Sequence, residues 1–327
     1  MSELEKLDRS LGGLSGDVAR MQRPVDRTYT AVRGAKSVLA KPKQLSKSMK
    51  WLASKAGTLR LTALFLMPFP VIGTLAGRIA KILRSLKSTA ERTKRAADKL
   101  DRKIVPAKNA VAKVEPPITK AKLSLDRAQA LLQGWLAMTA EMKRKFGDDP
   151  PPEVESVCGG INAALAPELK SIAEKRTSLA QSLNSIAAGF EGVVKAGRPV
   201  SDAIEIGENI ARDLRPLEGP LRELNKALRP VKWALDAVSW VTNKIIDPIV
   251  NEILKAVGLK KLVDQLERKL NPLARTVAPL ERAVDTMEES VAKLADASGL
   301  SASLNAIPEI EKRVVAAMKP LGRMPLG

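Results

Sequence analysis

The chain reads as an all-α protein: an elongated antiparallel bundle or coiled coil of long helices, with proline bends and an apolar hairpin tip. Three observations predict this. Aromatics are only 3% of the 327 residues while charged residues are 28%, an inventory of helices rather than of aromatic-rich globular cores. Apolar residues recur at spacings of three and four along most of the length. Proline- and glycine-rich breaks separate the periodic stretches.

The elements follow in order. Leu4, Leu7, Leu11, Leu14, Val18, Met21, Val25, Val32 and Leu39 share one register, which predicts a long amphipathic helix over 3–40, interrupted or bent near Pro24. Around Pro42 the register slips, and Met49, Leu52, Ala56 and Leu59 resume it on an altered phase. Pro68, Pro70 and Gly73 predict a break or hairpin at Met67–Gly73, after which Thr74 can cap a new helix. In that helix Leu75, Ile79, Ile82, Leu83 and Leu86 lie on one face and the basic residues lie off it.

Heptads continue from Leu100 to Phe146, with Pro106 and Pro116-Pro117 expected to kink or divide them. GDDPPPEVES (147–156) is the clearest loop and marks the expected main boundary. A helix from about Val154 to Lys195 is carried by Leu169, Ile172, Leu179, Leu183, Ile186, Phe190 and Val193. The turn Ala196–Pro199 ends it, and Ser201 or Asp202 can cap the next. From Ile210 to Leu294 one a/d register persists. Its prolines at 216, 230, 272 and 279 share an outward position, so they bend the helix without entering its seam. Turns are expected near Val257-Gly258-Leu259 and at SGLSAS (298–303), before a short last helix.

Charge is distributed unevenly. The net charge is +19, and residues 1–150 hold 31 of the Lys/Arg against 13 Asp/Glu. Residues 1–147 are therefore read as a cationic helical hairpin, 148–156 as a loop and 157–327 as near-neutral coiled-coil helices. A cationic half implies a polyanionic partner, either lipid or nucleic acid.

Between Asp26 and Glu91 there is no carboxylate over 64 residues, yet the window holds thirteen Lys/Arg. Within it lie seventeen uncharged residues, LTALFLMPFPVIGTLAG (61–77). An apolar wedge between basic flanks suits the surface of an anionic bilayer, where each basic group gains roughly 1 kcal/mol. The candidate insertion residues are Trp51, Leu61, Leu64, Phe65, Leu66, Met67, Phe69, Val71, Ile72, Leu75 and Ile79. The candidate anionic-lipid ligands are Arg33, Lys36, Lys41, Lys43, Lys47, Lys50, Lys55, Arg60, Arg78, Lys81, Arg84 and Lys87. The competing reading of the wedge is a buried core helix. A straight transmembrane helix is disfavoured, because the segment is short and carries two prolines. Trp233 and Trp240 share an outward heptad position and fit either a sandwiched helix or an interface anchor.

Nucleic acid competes for the basic face. Against it stand the scarcity of aromatics for base stacking and the lack of a zinc-finger, RNP-like or helix-turn-helix pattern. Catalysis finds little support. The chain has no histidine, and its single cysteine, Cys158, has no such partner. Asp148, Asp149, Glu153 and Glu155 lack calcium-loop spacing. No enzyme activity, cofactor, metal or small-molecule substrate is expected.

The reading is a membrane-binding scaffold that docks on anionic lipid, inserts the wedge and self-associates along its seams. With no apolar leader in MSELEKLDRS, it is expected in the cytoplasm, peripheral at a membrane. The plan resembles curved helical membrane scaffolds of the BAR kind. It is also similar to α-helical pore-forming toxins, which hide an apolar hairpin in a helical bundle. Both resemblances are of architecture, with no shared motif. A pore former, a nucleic-acid-binding coiled coil and a lipid-droplet or granule coat are the alternatives.

Overall fold

The computed structural model describes residues 1–68, 70–147, 149–228, 259–279, 282 and 297–323. All regular structure among them is helical, with no strand. The helices are α1 (Glu3–Leu66), α2 (Pro70–Lys103), α3 (Val105–Phe146), α4 (Pro152–Ala196), α5 (Arg198–Leu228), α6 (Leu259–Arg275) and α7 (Ala297–Met318). A 3-10 turn at Leu321–Arg323 follows. The readings made for Trp233, Trp240 and the turn residues Val257 and Gly258 lie outside the described residues.

Prolines place the helix starts. Pro70 and Pro152 open α2 and α4, while Pro106 and Pro199 stand second in α3 and α5. A proline costs nothing there, because first-turn amides have no intrahelical acceptor. This corrects two expected caps. Thr74 and Ser201 sit inside helices that already begin at Pro70 and Arg198. Ile104 is the only non-helical residue between α2 and α3, so Pro106 divides that stretch, whereas Pro116 and Pro117 lie within α3. α1 is continuous through Pro24 and Pro42. At the end of α3, Gly147 adopts φ +64° and its amide donates to the Lys143 carbonyl at 2.9 Å, a left-handed helix stop. SGLSAS, expected as a turn, is the first part of α7.

The chain forms two compact units. One comprises Met1–Ser37, Pro106–Lys195 and Glu289–Gly327; the other comprises Val38–Val105 and Ala196–Glu288. Residues 147–156, expected as a loop, fall within the first unit, and α4 already begins at Pro152.

In the first unit α1 lies antiparallel to α3 and parallel to α4. Advancing along α1, the α3 partners recede: Lys143 with Asp8, Gln129 with Ser15, Lys122 with Asp26, Glu115 with Lys36. The α4 partners advance: Asn162 with Glu3, Arg176 with Asp17, Glu191 with Arg27. The core takes every third and fourth residue of α1, from Leu4 through Val25 to Val32. Thr28 fills one such position, fully buried. Its hydroxyl lies 2.7 Å from the Pro24 carbonyl and 3.0 Å from that of Leu183. α7 completes this unit. Ile307 and Val314 line a small apolar cavity with Leu14, Leu125 and Ile172.

In the second unit α1 pairs with α2 and α5. Its buried positions step from Leu39 through Pro42 to Leu45 and Met49, a shortened step that re-phases the apolar face at Pro42. α5 runs parallel to α1, with Ser201 beside Lys41, Gly207 against Met49 and Glu218 beside Lys55. α6 is held to α5 by Lys269–Asp213 at 2.6 Å and to α2 by Arg78, which reaches Asp264 and Glu267.

Candidate functional site

The site of interest is the α1/α2 hairpin of the second unit. Met67 and Pro68 form its turn. The two helices then run back in fixed antiparallel order: Gly77 faces the Met67 side chain, Lys87 faces Gly57, and Asp98 accepts from the Ser46 hydroxyl at 2.5 Å. Gly73 makes the turn this tight, because a Cβ there would collide with the Met67 carbonyl oxygen.

The fold divides the apolar segment in two. Leu66 and Ile79 are buried, as are Ala63 and Ala76. They continue the spacing of core residues in their helices, so the proposed wedge gives part of itself to the interior. Leu61, Leu64 and Met67 are exposed, at 68%, 36% and 45%. Phe65 and Leu75 are half-buried. Phe69 and the side chains of Val71 and Ile72 lie outside the described set. Trp51 is 38% exposed, with the Lys55 ammonium 5.9 Å from its ring centre.

The basic residues also divide. Arg33 and Lys36 belong to the first unit and the remaining candidates to the second. Lys36 pairs with Glu115 at 2.7 Å, and Arg33 lies over Tyr29 at 5.5 Å. In the second unit Lys55 pairs with Glu218 at 3.1 Å and Lys41 donates to Ser201 at 2.9 Å. Arg78 pairs with Glu267 at 2.6 Å, and Lys87 lies 3.8 Å from Glu91. The acid-free window is thus partly neutralised by carboxylates far away in the chain. Lys43, Lys47, Lys50, Arg60, Lys81 and Arg84 have no carboxylate within 4.0 Å among the described residues. Of these, Arg60 is half-buried and the others are exposed.

A groove of about 520 Å³ runs between the two helices, lined among others by Lys50, Gly57, Thr58, Arg60, Leu61, Lys87, Glu91 and Lys94. Gly57, Glu91 and Lys94 were not among the sequence candidates. Their place follows from the observed register, in which 57 faces 87 and 46 faces 98. That pairing centres on residue 72 and not on the Met67-Pro68 turn, so the position of the turn does not give it.

Cys158 lies in the other unit, buried. Loss of hydration, with the nearby charges of Glu155 and Glu3, pushes its thiol up to about 11. It is thus a protonated core side chain at neutral pH.

Among the described residues no helix is long and apolar enough to cross a membrane, and no cluster of three or more His, Cys, Asp or Glu is placed to hold a metal. No protein-family model matches the chain, and no curated protein is significantly similar to it.

Proposed function

We propose that this protein is a peripheral membrane scaffold that docks on anionic lipid through its α1/α2 hairpin and lays the hairpin's apolar end into one leaflet. The observation that carries this is the pairing of exposed Leu61, Leu64 and Met67 with Lys43, Lys47, Lys50, Lys81 and Arg84, which have no carboxylate partner among the described residues, on the same two helices. Exposed apolar side chains beside unneutralised cations lose their hydration cost and gain attraction at the same surface. The long helices, with buried residues at three-four spacing, support a bundle or coiled-coil rod, and self-association of such rods is part of the proposal. The buried Leu66 and Ala76 argue against a hairpin that leaves the protein whole to span a bilayer.

Vesicle co-sedimentation tests it, with anionic and neutral liposomes at low and high salt and trapped dye in the same tubes. Binding to anionic vesicles that survives salt without dye release supports the scaffold. Dye release favours a pore former. Deleting 61–77 would remove core residues, so the better variant is Leu61→Glu with Leu64→Glu, which alters exposed positions only. It should abolish the salt-resistant fraction while leaving the melting temperature nearly unchanged. Absence of binding to any vesicle, with salt-sensitive binding to DNA or RNA, refutes the membrane reading.

A further inference from the structure

We infer that the groove between α1 and α2 is a phosphate site that takes the phosphomonoester headgroup of a lipid; this rests on the membrane reading above. Four cationic side chains and one carboxylate line the groove. The carboxylate, Glu91, lies 3.8 Å from Lys87 and offsets that one cation. Lys94 is tied to Asp98 at 2.6 Å, outside the lining, which fixes it at one end. Lys50 and Arg60 have no carboxylate partner among the described residues. The cations come from both walls, and a cleft concentrates their field as a flat surface does not.

The chemistry selects phosphate. A guanidinium offers a planar fork of donors that matches two phosphate oxygens, and ammonium groups add point charges around it. A phosphomonoester carries between one and a half and two negative charges at neutral pH, so it gains more here than a singly charged diester. Gly57 leaves the α1 wall without a side chain. A Cβ there would meet only the Lys87 stem, at 3.8 Å, so space and not backbone contact is what the glycine provides. The apolar end points to a lipid source. Leu61 lines the groove at 68% exposure, and exposed Leu64 and Met67 follow it along α1 toward the turn. A headgroup among the cations would have its chains beginning where the oily side chains begin.

The test uses the full chain and phosphatidylcholine vesicles carrying either phosphatidic acid or phosphatidylglycerol at matched surface charge. Soluble glycerol phosphate is titrated in parallel. The wild type should prefer phosphatidic acid by about tenfold, the scale of one charge-assisted pair. Lys50→Gln with Arg60→Gln should erase that preference, and should weaken phosphatidylglycerol binding no more than Lys43→Gln with Lys47→Gln does, because each pair removes two cations. Gly57→Glu, which fills the groove and favours the helix, should do the same. Lys43→Gln with Lys47→Gln, an equal loss of charge elsewhere, should keep the preference. Equal binding of both lipids by the wild type, or a preference that survives the groove variants, overturns the site but spares the membrane reading. Binding of glycerol phosphate that the groove variants abolish, with no vesicle binding, keeps a phosphate site and defeats the membrane reading. Binding of neither defeats both.

Discussion

The backbone amide of Glu3 donates to Glu155 Oε2 at 2.8 Å, so a side chain from the start of α4 caps the start of α1. The Leu4 amide donates to the other oxygen of the same carboxylate at 3.3 Å. First-turn amides have no intrahelical acceptor and carry the positive end of the helix dipole, so a carboxylate there answers both. Glu155→Ala should cost about 1 kcal/mol in urea unfolding. Hydrogen exchange should quicken at Glu3 and Leu4 before it changes elsewhere in the first unit.

Three glycines should respond to alanine in a set order. Gly73→Ala drives a methyl into the Met67 backbone carbonyl, so the turn itself must shift. A loss of about 1–3 kcal/mol is expected. Gly207→Ala meets the terminal methyl of Met49, the movable end of a soft side chain, and should cost less. Gly57→Ala makes only ordinary contact with Lys87 and should stabilise by about 0.5–1 kcal/mol through helix propensity. Thermal denaturation of the three variants checks the order. A Gly73→Ala protein as stable as the wild type would remove the close approach from the turn.

Acid should loosen the first unit through Asp8. Burial pushes its carboxyl up, but hydrogen bonds from Lys143 and Thr139 and the Lys143 charge outweigh this and leave it below its ordinary value. A carboxyl depressed in the folded state stabilises fully above its unfolded pKa of about 3.9 and loses that contribution as pH falls through the folded value. Asp8→Asn should therefore lower stability at neutral pH and make the acid limb of the pH–stability curve shallower. An unchanged slope below pH 4 would show that other carboxylates govern it.

Cys158 should resist alkylation. With its thiol near 11 and its side chain buried, iodoacetamide at pH 8 should modify the native protein far more slowly than the protein in urea. Equal rates, read by mass spectrometry, would mean that α4 opens locally around this residue.

Much of the fold is legible in the chain because periodicity is a local property. Leu4, Leu7, Leu11 and Leu14 announce their buried face by spacing alone, and all four are buried. Helix boundaries were less legible. Pro70 and Pro199 are accepted in a first turn, so the helices begin earlier than the capping residues suggested. SGLSAS has the composition of a turn, and yet it is helical in α7.

The candidate site was half legible. The absence of carboxylates from 27–90 is visible in the sequence, but it does not show which cations remain unpaired. Lys36 finds Glu115, Lys55 finds Glu218 and Arg78 finds Glu267, each through contacts between helices distant in the chain. The wedge shows the same limit. Composition marks 61–77 as apolar throughout, whereas the packing of α1 and α2 buries Leu66 and leaves Leu61 in solvent.

The sequence by itself determined the helical class, the breaks at Met67-Pro68 and Gly147 and the concentration of positive charge, because spacing, proline geometry and composition act within a few residues. Only the tertiary structure decided which charges are neutralised, which apolar residues are exposed and where a groove opens. Those follow from the order in which α2 returns along α1 and from the side chains it sets opposite each other, and no local pattern encodes that pairing.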